Sequence, residues 1–137
     1  MKRKNCTFIN DSKATSFQST KFALKNSKNI FWILGGIPKK NDKIILNGLK
    51  KNILRSYIIG KNTNFFKKQI KGQIKFYETG TIKKSILRIL KDIRNLKKQN
   101  TTVLLSPSSA SYDQYLNFEK RGEEFKRLSK FYARKYF

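Results

Sequence analysis

The sequence predicts a three-layer, Rossmann-like α/β domain with a mainly parallel sheet. Short apolar runs alternate with amphipathic stretches along the chain, the order expected when strands are followed by helices. The run IFWIL (Ile30–Leu34) is apolar at every position, which is typical of a strand buried on both faces. The chain has 137 residues, 38% of them apolar, which is enough for one domain with a substantial core.

Five segments are predicted to be strands because they are short and rich in apolar, β-branched or aromatic residues. They are Cys6–Ile9, Ile30–Leu34, Ile53–Ile59, Gln73–Tyr77 and Thr102–Leu105. The glycines at 35, 36 and 60 mark the ends of two of these strands. The single cysteine, Cys6, is expected to be a small buried residue rather than a nucleophile.

Apolar residues at helical spacing predict five helices. They are Ser16–Lys25, a weak helix at Lys43–Lys51, Asn62–Ile70, Thr81–Lys97 and a last helix from about Asp113 to Tyr132. The fourth is the clearest, because its isoleucines and leucines share one face and lysines and arginines fill the other. Polar residues are the expected N-caps of the first, third and last helices: Ser16, Asn62 or Thr63, and Ser111 with Gln114 three residues on.

The composition is strongly basic, with 32 Lys and Arg against 8 Asp and Glu and a formal net charge of +24. Such a charge favours nucleic acid or another anionic surface as a partner. The basic residues are nevertheless spread over nearly every segment, and abundant Asn and Ile accompany them, as in a chain encoded by AT-rich DNA. No RNA-recognition, helix-turn-helix or zinc-finger pattern is present. Drift in composition is therefore the preferred explanation of the charge. A basic α/β module that binds nucleic acid nonspecifically is the second hypothesis.

The absence of histidine excludes Ser-His-Asp and Cys-His catalysis within these residues, and zinc sites that contain histidine. The charged start Met1–Lys4 resembles that of a signal peptide, but the apolar segment that must follow is missing. No apolar run reaches the length of a membrane span. These features predict a cytoplasmic protein.

Polar loops directly follow three of the predicted strands: Asn10–Ser16 (NDSKATS), Gly35–Lys40 (GGIPKK) and Ser106–Ser111 (SPSSAS). If the strands are parallel, these loops open at one edge of the sheet, where ligands bind in such folds. We therefore expect Thr15, Lys39 and Ser111 to lie around a shared cleft. The P-loop spacing G-x-x-x-x-G-K-S/T is absent from the chain.

Each of the three loops has two interpretations. The first carries a carboxylate, an ammonium and hydroxyls before a predicted helix, whose free N–H groups favour an anion, but the same residues also suit a capped turn. The glycines at 35 and 36 either admit a ligand close to the backbone or form an ordinary turn. Ser111 caps a helix, presents its hydroxyl to a carboxylate, or does both.

Three motifs together resemble the C-terminal domain of the Mur ligases, and they cover nearly the whole chain. NDSKAT (10–15) resembles the motif that opens this domain, and WILGG (32–36) with Lys39 resembles the strand and glycine pair before a substrate-binding lysine. LLSPSSASYDQYLNFEKRGEEF (104–125) resembles the closing motif S-P-x-x-A-S-x-D-x-F-x-x-F-x-x-R-G. The first and last are fairly specific, and the middle one is weak alone. Ser16 stands where Asn is usual and Tyr115 where Phe is usual, and we expect neither to destroy a site.

The resemblance implies an ADP-forming amide ligation of peptidoglycan synthesis, most similar to the addition of D-glutamate to UDP-N-acetylmuramoyl-L-alanine. A substrate carboxylate takes the γ-phosphoryl group of ATP, and the amine of D-glutamate then displaces phosphate. By resemblance, the D-glutamate carboxylates would be held by four groups: Thr15, Lys39, Ser111 and the backbone of Phe118. The ATP ribose would bind Asp11, and Lys13 would lie near the phosphates or the incoming substrate. These residue types suit carboxylates and a diol.

The resemblance also implies what the chain lacks. The family's P-loop, Mg²⁺ ligands, modified lysine and UDP-binding domain belong to upstream domains, so residues 1–137 are expected to form a single amino-acid-binding domain. No catalytic residue and no metal ligand is expected within it, and the missing domains would be supplied in cis or as a separate chain. The chain would then be a fragment, a split gene product or an inactive remnant, and we expect it to be inactive alone.

Overall fold

The computed structural model describes all residues from Met1 to Phe137. Six strands form one sheet: β1 (Lys2–Arg3), β2 (Cys6–Asn10), β3 (Ile30–Gly35), β4 (Ile53–Ile59), β5 (Phe76–Gly80) and β6 (Thr101–Leu105). Four helices accompany them: α1 (Phe17–Lys25), α2 (Thr63–Ile70), α3 (Ile82–Leu96) and α4 (Phe118–Tyr136), with a short 3-10 turn at Lys50–Asn52. The predicted three-layer, Rossmann-like fold is confirmed.

The strand order in the sheet is β1-β2-β6-β3-β4-β5, and only β1 runs antiparallel to its neighbour. β6, the last strand in sequence, therefore lies between β2 and β3 in the middle of the sheet. The loops that follow β2, β6 and β3 are neighbours at its carboxyl edge for this reason.

Alternate strand residues point to opposite faces of the sheet and so build two cores. Phe31, Ile33 and Tyr57 pack with α3 and α4 on one face. Trp32 and Leu34 pack with α1 and α2 on the other. Every residue of β3 is buried, which explains why IFWIL shows no polar alternation.

The two helices with the clearest local signals begin where the sequence predicts. The Ser16 hydroxyl accepts the N–H of Ser19 at the start of α1, and the Thr81 hydroxyl accepts that of Lys84 at the start of α3. Lys97 caps the C-terminus of α3 in the left-handed conformation, with a φ of 52°. The predicted Ser16 cap of α1 is confirmed, and for α3 one regular apolar face was sufficient to place the helix.

The predicted helix at Lys43–Lys51 is wrong, because residues 43–46 form no regular element, residues 47–49 form a turn, and only Lys50–Asn52 is helical, as a short 3-10 turn. Ile44 and Leu46 are buried while Ile45 is exposed, which is the two-residue period of a strand-like segment. Glutamines of the α2 region supply the missing partners: Gln69 accepts the N–H of Ile44 at 3.1 Å, and Gln73 accepts that of Leu46 at 3.0 Å. Side chains from elsewhere thus replace the hydrogen bonds of a helix.

Two boundaries and one cap also differ from the prediction. β5 begins at Phe76 rather than Gln73, since the Gln73 side chain binds residues 44 and 46. α4 begins at Phe118 rather than Asp113, and Asn117 caps it in place of Ser111 by accepting the N–H of Lys120. α2 has no side-chain cap, because the Asn62 amide donates to the carbonyl of Gly36 instead.

The buried position predicted for Cys6 is confirmed, since the residue is 3% exposed. Burial also raises the pKa of its thiol, which makes the thiolate less accessible. The first strand, β1, was not predicted, because two residues are too few for a sequence pattern. None of the helices combines the length and the apolar character that crossing a bilayer requires.

Candidate functional site

Thr15, Lys39 and Ser111 lie in loops that follow β2, β3 and β6, so the structure places all three at the carboxyl edge of the parallel strands. The predicted common edge is confirmed. Lys39 is exposed, Thr15 is half-buried and Ser111 is 2% exposed. Two cavities at the first loop are lined by other residues, so a single cleft containing the three side chains stays a prediction.

The loops after β3 and β6 are joined by a short antiparallel bridge. Ile37 and Ala110 exchange two backbone hydrogen bonds, each of 2.9 Å. Gly36 has a φ of 137°, and a Cβ there would collide with the carbonyl oxygen of Ala110. Gly36 thus lets the loop after β3 approach the loop after β6, rather than a ligand. This contact brings together the segments that carry Lys39 and Ser111.

The first loop is joined to the second by a carboxylate at the start of α1. Asp42 Oδ2 accepts the N–H of Phe17 at 3.0 Å, while the Ser16 hydroxyl accepts the N–H of Ser19 at 3.3 Å. The N-terminus of α1 therefore already holds an anion of this chain. Of the two interpretations of this loop, the structure therefore favours the capped turn, because the N–H groups at the start of α1 are not free to bind an external anion. Lys13, exposed in the same loop, remains a cation that a ligand can reach.

Asp11 is held in place by a buried network of hydroxyl groups. The Ser106 hydroxyl donates to Asp11 Oδ2 at 2.7 Å, and it lies 2.9 Å from the hydroxyl of Thr20. The hydroxyl of Ser108 donates to Thr20, and Trp32 Nε1 donates to the Ser106 carbonyl at 2.8 Å. Partial burial raises the pKa of Asp11, against the opposing effects of Ser106 and Lys13. One oxygen of this oriented carboxylate, Oδ1, has no partner within the protein.

A buried arginine clamps the first loop to α4. Arg121 Nε donates to the Ser12 hydroxyl at 2.8 Å, and Nη2 donates to the Ser12 carbonyl at 2.7 Å. The Ser12 hydroxyl in turn donates to the carbonyl of Phe118 at 2.7 Å. Burial lowers the pKa of Arg121 to about 10, and its Nη1 is buried without a partner.

Sequence reasoning assigned no role to Arg121, Ser12, Ser106 or Gly122. The available signal was the Arg-Gly pair in the closing motif. Gly122 lies where α4 crosses the first loop closely, since a Cβ there would lie 2.8 Å from Nδ2 of the Asn10 side chain. The hydroxyl-rich segment SPSS was recognised as a loop, whereas its serines are a buried network behind Asp11.

Ser111 and the start of α4 each leave one donor without a partner in the protein. The Ser111 carbonyl accepts the N–H groups of Gln114 at 3.0 Å and Tyr115 at 2.8 Å, so residues 111–115 form a turn before the helix. The Ser111 hydroxyl makes no hydrogen bond within the protein. The N–H of Phe118 is the first of α4 and also has no protein acceptor, as is usual for the first turn of a helix. Both groups are available to an anion.

The loop after β6 also crosses the ends of β4 and β5. Asp113 Oδ2 accepts the N–H of Lys61 at 3.1 Å, and Gln114 Nε2 donates to the Gly80 carbonyl at 2.8 Å. These contacts fix the loop along the carboxyl edge. Ser111 and the start of α4 are therefore held by the rigid sheet rather than by a free loop.

Two cavities flank the first loop. One, of about 270 Å³, lies between Ser12, Lys13 and the first turn of α4 from Phe118 to Gly122. The other, of about 610 Å³, lies between Asp11, Lys13 and the side of α1 that carries Phe22. No group of three or more His, Cys, Asp or Glu side chains in the structure is arranged to hold a metal ion.

No family model matches the chain, but its sequence is similar to curated proteins named UDP-N-acetylmuramoylalanine--D-glutamate ligase. The protein of Nitrobacter winogradskyi is 36% identical over 121 residues, which cover 88% of this chain and 26% of the relative. That of Nitrobacter hamburgensis is 35% identical over 127 residues, 93% and 27% of the two chains. That of Agrobacterium fabrum is 36% identical over 124 residues, 90% and 26%. The chain thus spans about a quarter of the length of these relatives.

Proposed function

This chain is a homologue of the C-terminal part of the UDP-N-acetylmuramoylalanine--D-glutamate ligases, which are Mur ligases, and we propose that it supplies the D-glutamate site and one wall of the ATP site of such a ligase. The reaction would form an amide bond with ATP, releasing ADP and phosphate, in the cytoplasm, where ATP is available. UDP-N-acetylmuramoyl-L-alanine would be the acyl substrate. The remaining domains would act in cis or as a separate polypeptide.

The observation that carries the proposal is the meeting of three loops at one edge of the sheet. The bridge between Ile37 and Ala110, and the bond from Phe17 to Asp42, hold the loop of Lys39 against the other two. An ammonium, two hydroxyls and a free helix N–H are the donors that two carboxylates require. Lys39, Thr15, Ser111 and the N–H of Phe118 would therefore bind D-glutamate.

Asp11 and Lys13 would form the nucleotide wall. The partnerless Oδ1 of Asp11 would accept a hydroxyl of the ATP ribose, and Ser106 on Oδ2 keeps the carboxylate oriented. Lys13, exposed and two residues away, would lie toward the phosphates or the incoming substrate. These residues offer no cluster of metal ligands, so Mg²⁺ would be held by the remaining domains.

Ligand titrations of the 137-residue protein by NMR test this assignment. We expect weak binding, because the contacts that the remaining domains would make are missing and cannot offset the entropy lost on association. Lys39→Ala and Ser111→Ala should weaken D-glutamate binding more than ATP binding, and Asp11→Ala should do the reverse. Lys39→Ala and Ser111→Ala remove side-chain groups that make no hydrogen bond in the protein, so folding should be preserved. Asp11→Ala also removes the acceptor of the Ser106 hydroxyl, so its amide spectrum must first show that the fold is intact.

Lys40→Ala is the matched control, because Lys40 is also exposed and differs from Lys39 only in position. It should reduce both affinities slightly and equally, through the loss of one charge. Equal effects of the Lys39 and Lys40 substitutions on D-glutamate would contradict the assigned role of Lys39. An unchanged D-glutamate affinity in Ser111→Ala would remove Ser111 from the site.

A further inference from the structure

Phe22, on the outer side of α1, is 76% exposed. A single exposed aromatic residue is ordinary on a protein surface. Here, however, the ring forms a wall of the 610 Å³ cavity whose opposite side is the first loop of the candidate site. Phe22 therefore lines the same cavity as Asp11 and Lys13.

The cavity brings an aromatic ring, one carboxylate and one ammonium together. Asp11 is the only acid and Lys13 the only base among the residues that line it. At the far end of α1, Asn26 Nδ2 donates to the Phe22 carbonyl at 2.8 Å, which leaves Asn26 Oδ1 as a free acceptor. A flat apolar face, a diol acceptor and a cation are the three groups that a nucleoside phosphate requires.

We propose that this cavity holds the nucleotide with its base stacked on Phe22, its ribose at Asp11 and its phosphates toward Lys13. The inference rests on the proposed function, which assigns Asp11 and Lys13, and it adds the base contact. Asn26 Oδ1 would accept a hydrogen bond from an exocyclic amino group, such as that of adenine. The phosphates would go to Lys13 rather than to the helix, because the N–H groups of Phe17 and Ser19 are already occupied.

The test compares ADP with ribose 5-phosphate, which has the sugar and a phosphate but no base. Both are titrated by NMR into the ¹⁵N-labelled 137-residue protein and into Phe22→Leu, Phe22→Trp and Asp11→Asn. Phe22→Leu should weaken ADP binding at least about fivefold and leave ribose 5-phosphate unchanged, because it removes only base stacking. Phe22→Trp should keep ADP affinity, and Asp11→Asn should weaken both ligands.

Phe131→Leu is the matched control, since Phe131 is 60% exposed on α4, outside the residues that line this cavity. It should change neither affinity. If Asp11→Asn weakens ADP binding but Phe22→Leu does not, the base contact is wrong and the proposed function stands. If D-glutamate binds but ADP does not at millimolar concentration, the nucleotide wall and the base contact are both wrong. ADP shifts confined to amides of α4 would also overturn the inference, because they would report attraction to surface lysines alone.

Discussion

Arg121 binds Ser12, which lies 109 positions earlier in the sequence, and this contact fixes the first loop against α4. A buried guanidinium is costly, more so with Nη1 unpartnered. The two hydrogen bonds to Ser12 offset part of that cost because they are charge-assisted. Ser12 lies between Asp11 and Lys13, so the same contacts that stabilise the fold also orient the proposed nucleotide wall.

Arg121→Met keeps the length and apolar contacts of the side chain and removes both bonds to Ser12. It should lower the free energy of unfolding by about 1–3 kcal/mol, because the hydroxyl and carbonyl of Ser12 lose their buried donor. Urea denaturation measures this change. Arg134→Met, at an exposed position of the same helix, should alter stability by no more than about 0.5 kcal/mol. Equal midpoints for the two variants would show that the clamp contributes nothing.

Between elements, the junction of the β3 and β6 loops depends on Gly36. Its φ of 137° is one that residues with a side chain rarely adopt. A Cβ at this position would collide with the carbonyl oxygen of Ala110. Gly48 offers a comparison within the chain, since its φ is 77° and a Cβ there would meet nothing within 4 Å. Gly48 therefore isolates backbone strain, whereas Gly36 combines backbone strain with a steric collision.

Gly36→Ala should destabilise the fold more than Gly48→Ala, because only the first must push two loops apart. Gly48→Ala should cost about 1–2 kcal/mol, the strain of a left-handed residue alone. Thermal unfolding measures both, and amide shifts of residues 37–40 and 108–111 report whether the bridge opens. A Gly36→Ala protein with the stability of Gly48→Ala and an intact bridge would contradict this reading.

For the whole molecule, the net charge of +24 predicts nucleic-acid binding that is weak and lacks sequence preference. Lysines are exposed on both helical layers and in the loops, and the structure contains no helix-turn-helix or other base-reading arrangement. Binding measured by fluorescence anisotropy should fall steeply between 50 and 200 mM salt, on the order of a thousandfold for six phosphate contacts. Tight binding of one sequence at physiological salt would favour the nucleic-acid hypothesis over the ligase proposal.

The isolated chain should not catalyse ligation. Phosphoryl transfer depends on positioning and electrostatic stabilisation by a phosphate-binding loop and a metal ion. The 137 residues contain neither a P-loop sequence nor a group of side chains arranged to hold a metal ion. The measurement is phosphate release with ATP, Mg²⁺, UDP-N-acetylmuramoyl-L-alanine and D-glutamate. Turnover by the chain alone would show that the catalytic groups are misassigned. Addition of the other domains of a related ligase should restore turnover if they dock.

The sequence by itself determined the elements whose signals are local. Uniform apolarity identified β3, a regular apolar face identified α3, and the polar loops after β2, β3 and β6 identified the edge that carries the candidate site. These features are readable because periodicity, capping and strand-end chemistry involve residues within a few positions of one another.

Only the tertiary structure decided the features whose partners lie far apart in the chain. Such partners decide where β6 lies between β2 and β3 and how Gln73 holds residues 44–46. They also place the Asp42 carboxylate at α1 and form the Arg121 clamp. A local pattern specifies that a donor needs an acceptor but not which distant residue supplies it. Packing of the two cores against the sheet makes that choice, because it fixes which loops can reach each other.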